Sequence, residues 1–360
     1  MPLPIALDHR PALLSPTGLG RAARELARAL AQRDDVDLHL FGHCLARARV
    51  ACEVPTNATL HRLPIPGRAL PLLRRCGLGA DVLAGGVRVF HWLDYVFPPV
   101  RRAHLVLTVH DLAFLRDPSW HGPAAAGLAE RTRAAAAAAE VIVTPSRATA
   151  SDVRQMLGDT RPVRVIPFGA DHVPTVPTTH PLGGRDYALA IGTIEPRKHH
   201  HTLLAAWRRL PSPRPLLVVI GRVGWQCAAI VQELRQAGDE GLVRWLPDCD
   251  DTAAFRWLQH ARCLVFPSAW EGFGFPPLEA MQLGVPVVAS DIAPLRELGA
   301  DAMQFVAAGD PDALADGIAR LLGDTTHHHE LARRGRARAN TFRWRDCAAA
   351  HAALYHEVAS

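Results

Sequence analysis

Cys263-Leu264-Val265-Phe266-Pro267-Ser268-Ala269-Trp270-Glu271-Gly272-Phe273-Gly274-Phe275-Pro276-Pro277-Leu278-Glu279-Ala280-Met281 leads from an apolar, strand-like run through a glycine-containing loop into a helical stretch. Prolines 276 and 277 suit a first helical turn, where the missing N–H has no intrahelical partner. In a parallel α/β sheet such a loop lies at the carboxyl edge of its strand, where ligands bind. Glycines let backbone amides approach a ligand closely, and the helix N-terminus adds partial positive charge suited to phosphate. Glu271 and Glu279 suit the neutral, hydroxyl-rich part of the same molecule. A desolvated carboxylate accepting from a hydroxyl contributes about 1.5 to 3 kcal/mol, so two of them fix both a sugar and a ribose. Taken singly, Glu271 reads as a surface loop acid and Glu279 as a first-turn acid favoured by the helix dipole. Together in this loop they favour a ligand site.

Working outward, apolar runs at Tyr187–Ile191, Leu216–Ile220, Leu242–Leu246, Cys263–Pro267 and Val285–Ser290 alternate with helical stretches. The first half repeats the pattern at Ile5–Asp8, Val36–Phe41, Thr59–Leu63, Val87–His91, Leu105–His110, Val141–Pro145 and Val163–Pro167. Such alternation predicts parallel sheets wrapped by helices. The helix expected over Arg21–Gln32 places Ala22, Leu26, Ala29 and Leu30 on one face. Between the two series lies a stretch broken by Pro174, Pro177, Pro181, Gly183 and Gly184, which reads as a linker. The organisation expected is therefore residues 1–172 as a first α/β domain, 173–186 as linker, 187–342 as a second α/β domain and 343–360 as a terminal helix crossing back to the first. At 360 residues two cores are expected. From Pro311 onward the pattern is entirely helical. Within it, His327, His328 and His329 point to different faces of a helix and cannot converge on one metal; they read as a solvated helix start.

The run Gly192-Thr193-Ile194-Glu195-Pro196-Arg197-Lys198 leaves the first strand of the second series and enters a helix expected near His199. Arg197 and Lys198 face the same sheet edge as the glycine loop and are placed to neutralise a diphosphate. A departing nucleoside diphosphate gains negative charge as the glycosidic bond breaks, so cations there act mainly on the transition state. The chain has thirty-nine arginines and one lysine, Lys198. A compact ammonium on a flexible stem differs from arginine's planar fork, which points to a specific role. In the first series, Ser15-Pro16-Thr17-Gly18-Leu19-Gly20 opens a helix and can lend the amides of Gly18 and Gly20 to the same phosphates. It also fits G-x-G-x-x-A, but about ten residues separate Asp8 from Gly18 where a tight turn should follow the strand, and no suitable acid follows the second strand. His110, closing the strand before Asp111, is placed to donate to a sugar hydroxyl or a developing charge, or else to serve as a buried structural histidine.

Composition narrows the classes. Apolar residues make up 49% and charged residues 21%, the profile of a globular enzyme. No apolar run approaches the roughly 18 residues of a membrane span. The N-terminus has no basic region, apolar core or cleavage site of the secretory kind, so a cytoplasmic location is expected. The seven cysteines are scattered without C-x-x-C spacing and read as reduced thiols. Residues 1–180 hold 21 arginines against 15 acids, whereas the remainder holds 19 basic residues against 20 acids. That asymmetry suits an anionic partner for the first half, such as a phosphorylated acceptor or an anionic membrane surface touched peripherally, or simply a solvated surface. No basic stripe interleaved with aromatics points to nucleic acid.

The pattern resembles glycosyltransferase family 4, the retaining enzymes of GT-B architecture, over nearly the whole chain. Phe266-Pro267-Ser268 through Glu271-Gly272-Phe273-Gly274 and Glu279-Ala280-Met281 to Gly284-Val285-Pro286-Val287-Val288-Ala289-Ser290 is similar to the family's E-x7-E region. Gly192 to Lys198 and Val109-His110-Asp111-Leu112-Ala113-Phe114 resemble the version in mannosyl- and rhamnosyltransferase-like members. The resemblance implies two Rossmann-like parallel-sheet domains facing a central cleft, with the terminal helix crossing back to the first. It implies that Glu271 contacts the donor sugar with the amides of Gly272, Phe273 and Gly274, and that Glu279 holds the ribose. Lys198 and Arg197 would hold the diphosphate, Gly18 and Gly20 the phosphates from the first domain, and His110 would sit beside the transferred sugar. Many relatives carry arginine at the position of Thr193, so Arg197 is the candidate for the second charge. The chemistry implied is metal-free front-face transfer of a hexose, with no cofactor beyond the nucleotide-sugar substrate, to a saccharide or lipid-linked acceptor in polysaccharide or glycoconjugate assembly. GDP-mannose is the first donor to consider. A sugar-nucleotide epimerase or phosphorylase on the same architecture, and an NAD-dependent oxidoreductase, are the rival readings.

Overall fold

Cys263–Phe266 is a strand with every residue buried, inside a six-stranded parallel sheet. The structure is a computed structural model and describes residues 1–15, 17–44, 53–158, 161–174 and 179–360. Pro16 of the expected phosphate loop, Cys52, and residues 175–178 of the expected linker lie outside the described residues. The chain divides into two units: residues 1–115, 123–169 and 343–360 form one, and residues 116–122 and 170–342 form the other.

Unit 1 holds β1 (Leu3–Asp8), β2 (Val36–His43), β3 (Ala58–Leu63), β4 (Val89–Trp92), β5 (His104–Thr108), β6 (Val141–Thr144) and β7 (Val163–Val165). Their order is β3-β2-β1-β4-β5-β6-β7, with every pairing parallel. β4 and β6 are buried throughout and β1 nearly so, as expected when helices cover both faces of a parallel sheet. The order reverses between β1 and β4, and such reversals leave the crevice in which α/β sheets bind ligands. The terminal helix Trp344–Ala359 belongs to this unit and packs on the helix Gly18–Leu30. Its Tyr355 hydroxyl lies 2.7 Å from His91 Nδ1 on β4, and its Glu357 accepts from Arg164 on β7 at 2.9 Å.

Unit 2 holds β8 (Tyr187–Ile191), β9 (Leu216–Ile220), β10 (Val243–Leu246), β11 (Cys263–Phe266), β12 (Val287–Ser290) and β13 (Gln304–Val306), ordered β10-β9-β8-β11-β12-β13 and again parallel. The reversal here falls between β8 and β11. Trp207, Leu203 and Leu204 of the helix His200–Arg209 pack with Ile318 and Leu321 of the helix Pro311–Gly323 over one face of the sheet.

Three local expectations change. β13 is an added edge strand of three partly buried residues, too short for an alternation pattern to reveal. A short helix, Arg10–Leu14, occupies the gap between β1 and Gly18. The histidine triplet starts a helix, Thr325–Ala339, capped by Asp324, but is not simply solvated. His327 Nε2 lies 2.8 Å from Gln304 Oε1 on β13, and His328 Nε2 donates to the Arg262 carbonyl at 2.8 Å, so two of the three dock the helix onto the sheet. No helix among the described residues is long and apolar enough to cross a membrane.

Candidate active site

β8 and β11 are neighbours, so the loops following Ile191 and Phe266 leave the same sheet edge at the reversal. The first loop closes in a single 3-10 turn, Pro196–Lys198. His199 then adopts a left-handed conformation (φ 51°, ψ 43°) before the helix His200–Arg209 begins. This turn presents Arg197 and Lys198 to the second loop, with Ala269 N–H donating to the Arg197 carbonyl at 2.8 Å. Lys198 Nζ donates to Glu271 Oε1 at 2.5 Å and stands 5.0 Å from the centre of the Phe266 ring. Arg197 is held at three points: Glu195 Oε1 at 2.7 Å, the Trp270 carbonyl at 2.5 Å and Glu271 Oε2 at 3.1 Å. Two cations thus face two carboxylates, and the quartet is electrically balanced.

Burial alone would raise the Glu271 carboxyl, but Lys198 and then Arg197 outweigh it and hold its pKa at about 2. Glu271 is ionised at every physiological pH. A buried ion pair of this kind is weak evidence for stability, because desolvation offsets much of the attraction. Its value is positional: a charge network fixed at the strand reversal of the sheet.

Gly272, Phe273 and Gly274 are all buried, and Phe273 packs edge-to-face on Phe275 (5.6 Å between centroids). Gly274, immediately before the helix Phe275–Leu283, has φ 107°, and a Cβ there would come within 2.9 Å of Leu295 Cδ2. Left-handed backbone and close packing both demand glycine. Glu279 is the fifth residue of that helix, beyond the first turn, so the helix-dipole account of it does not apply. It is buried, and its Oε1 accepts from His172 Nε2 at 2.9 Å. Thr193 is half-buried in the first loop, its methyl facing Gly224 closely enough that a Cβ on that glycine would meet it at 2.7 Å.

The remaining sequence candidates lie in unit 1. His110 donates from Nε2 to the Leu93 carbonyl at 3.0 Å and stacks on Phe168 with centroids 5.9 Å apart. Burial lowers its pKa, so the ring is neutral, and with Nε2–H committed Nδ1 is the acceptor. It is therefore set to accept from a hydroxyl, where the sequence suggested donation. Gly18 begins the helix Gly18–Leu30 and is half-buried. Gly20 has a packing reason of its own: a Cβ would fall 1.9 Å from the Ser15 carbonyl oxygen.

Several polar groups join these sites without a motif to mark them. Glu195 is one, and its only local signal is an acid two residues before Arg197 at the same turn. At the unit 1 reversal, Asp8 ends β1, and Arg10 forms an ion pair with Asp94 just beyond β4. Asp8 is pushed well up by burial and then by Asp94, against the pull of Arg10. His172 had no local signal, because its partner is 107 residues away.

The sequence profile of glycosyl transferases group 1 matches residues 178–338, and that of glycosyltransferase family 4 matches residues 16–173. The chain is 30% identical over 364 aligned residues to O-antigen chain mannosyltransferase B of Escherichia coli, an alignment covering 92% of this chain and 93% of that one. Among solved structures, sucrose-phosphate synthase from Thermosynechococcus elongatus aligns with a TM-score of 0.80 at 20% identity, over 99% of this chain and 98% of that one. HepE of Anabaena, solved with UDP and glucose, aligns with a TM-score of 0.75 at 19% identity, over 99% of this chain and 100% of that one. This chain belongs to glycosyltransferase family 4, the group 1 glycosyl transferases. It is a hexosyltransferase of GT-B fold that acts in glycoconjugate biosynthesis.

Proposed function

We propose that the chain transfers mannose from a nucleoside-diphosphate donor to a saccharide or lipid-linked acceptor, retaining the anomeric configuration, with GDP-mannose as the donor. The observation that carries this is the Lys198–Glu271 pair, 2.5 Å apart, at the unit 2 strand reversal beside a glycine loop and a helix N-terminus. The mannosyl choice draws on the Escherichia coli relative's name and on the Gly192 to Lys198 run. Unit 2 takes the donor and unit 1 the acceptor, with residues 343–360 belonging to the acceptor side.

Lys198 is the catalytic cation. It stabilises the diphosphate as the glycosidic bond breaks, while Glu271 accepts from hydroxyls of the donor sugar. Gly272, Phe273 and Gly274 supply amides, Glu279 holds the ribose, and Gly18, with Gly20, faces the phosphates. Because the quartet is neutral, attraction for the incoming diphosphate comes from Lys198 exchanging Glu271 for phosphate, aided by the helix N-termini at His200 and Phe275. Arg197, tied to Glu195 and the Trp270 carbonyl, keeps Glu271 aligned when Lys198 turns away. His110 Nδ1 accepts from a hydroxyl of the transferred sugar. The arginine excess of residues 1–180 suits an acceptor displayed at the inner face of an anionic membrane, with the enzyme in the cytoplasm.

The test is a thermal-shift screen across sugar nucleotides, followed by release of nucleoside diphosphate from the donor that stabilises most. GDP-mannose should give the largest shift and slow hydrolysis that Lys198→Ala abolishes. NMR of the product should show the donor's anomeric configuration. Stabilisation by NAD with none by any sugar nucleotide would overturn the reading, and donor conversion to another sugar nucleotide without acceptor would indicate an epimerase.

A further inference from the structure

The buried His172–Glu279 pair has no role in the assignments above beyond the ribose contact of its acid. Glu279 sits on the helix Phe275–Leu283, and His172 lies at the start of the longer segment of unit 2, two residues after Ala170. Their side chains are 4% and 3% exposed and meet at 2.9 Å. An ionised carboxylate can only accept, so Nε2 of His172 must carry the proton in this contact, whichever charge state the ring holds. The ring plane is fixed from two sides: Phe275 stands edge-on at 5.9 Å and 86°, and Phe255 at 6.2 Å and 62°. Phe275 is itself four residues before Glu279 on the same helix, so one element places both the acid and a wall that aims its partner.

A carboxylate that grips a vicinal diol must hold its plane, because each oxygen serves a particular hydroxyl. A glutamate has three side-chain torsions, and burial without a partner would leave its charge costly and its rotamer undetermined. We propose that His172 is a positioning residue for donor recognition: by donating to Glu279 Oε1 it fixes the carboxylate in the orientation that reads the ribose hydroxyls of the nucleotide. This rests on the assignment of Glu279 to the ribose. The consequence is selective. Loss of His172 should weaken binding only insofar as the ligand has ribose hydroxyls to be read.

The experiment measures dissociation constants of GDP and 2′,3′-dideoxy-GDP by calorimetry on the full chain, with UDP and its dideoxy form replacing them if UDP binds the wild type more tightly. Wild type should prefer the ribonucleotide by about 100-fold, the scale of one or two charge-assisted hydrogen bonds. Glu279→Gln should bring that ratio near one. His172→Ala should cut it about tenfold while leaving dideoxynucleotide affinity within twofold of wild type, and His172→Gln, whose amide can still donate, should restore part of it. A His172→Ala ratio equal to wild type, with Glu279→Gln collapsed, overturns the positioning role alone. Equal weakening of both nucleotides in His172→Ala and His172→Gln also overturns it, because that is the behaviour of a packing residue. A wild-type ratio near one, or one unaffected by Glu279→Gln, removes the ribose assignment and this inference with it.

Discussion

The two sheets share one strand order around their reversals, yet the carboxylates at those reversals are in opposite states. Glu271 in unit 2 is driven down to about 2 although burial opposes it, because Lys198 and Arg197 both face it. Asp8 in unit 1 is driven well up by burial and by Asp94, and Arg10, its cation, is shared with that same Asp94. What decides the outcome is the ratio of cations to carboxylates delivered by the flanking loops, weighed against a desolvation cost that both sites bear.

The units also bury histidine differently. In unit 1, burial lowers His9, His43 and His351 to about 4, and His91 falls well below its ordinary value. In unit 2 the comparable case is His200, lowered to about 3 by burial and then by Lys198. Both units thus keep buried imidazoles neutral, but among the described residues unit 1 holds more of them, while unit 2 adds a charged pair at Lys198 and Glu271.

The contrast can be broken at its strongest point first. Lys198→Ala should reduce kcat/KM by about 1,000-fold, the scale of losing a preorganised charge opposite a developing anion. It should also lower stability by about 3 kcal/mol, because Glu271 is left buried with only Arg197. Initial rates and denaturant unfolding measure both; unchanged rates would separate this site from catalysis.

Acid should then separate the units. A histidine with folded pKa below its unfolded value near 6.5 contributes stability that is full above 6.5 and is lost as pH falls toward the folded value. At pH 5 each histidine held at about 4 costs about 2 kcal/mol. Glu271, with its pKa depressed, contributes stability present above about 4.5 and lost only as pH falls through about 2. Hydrogen exchange followed from pH 7.5 to 5 should show protection falling in unit 1 by several kcal/mol more than in unit 2. Equal loss would mean the buried histidines do not set the difference.

Smaller effects sharpen the picture. Gly20→Ala should cost about 1 to 3 kcal/mol, because its Cβ would strike the Ser15 carbonyl oxygen, with thermal unfolding as the readout. A neutral result would release Gly20 for a ligand role alone. Lys198→Arg should lower kcat about tenfold with little change in stability, since a planar fork cannot exchange Glu271 for phosphate as a compact ammonium can. Full activity would make the single lysine incidental.

Much of this was legible along the chain. Periodicity marks the parallel strands of both sheets except β13, and the glycine loop, Glu271 and the cation pair Arg197–Lys198, adjacent in the fold, are each visible as local motifs. What is not legible is either too short to carry a pattern or set by distant partners. β13 has three residues and no periodicity to detect. The helix Arg10–Leu14 has Pro11 at its start, acceptable to a first turn yet easily read as a break. The docking of His327 and His328 depends on Gln304 and Arg262, far away in sequence.

The sequence by itself determined the two α/β units, their sheet type and the residue types at the carboxyl edge of the unit 2 sheet, because strand alternation and turn chemistry are local. Only the tertiary structure decided which charges neutralise one another. That Arg197 is bound by Glu195 and the Trp270 carbonyl, that His110 accepts, and that His172 holds Glu279 all depend on through-space distances of about 3 Å between groups that the chain order leaves far apart or without a defined orientation.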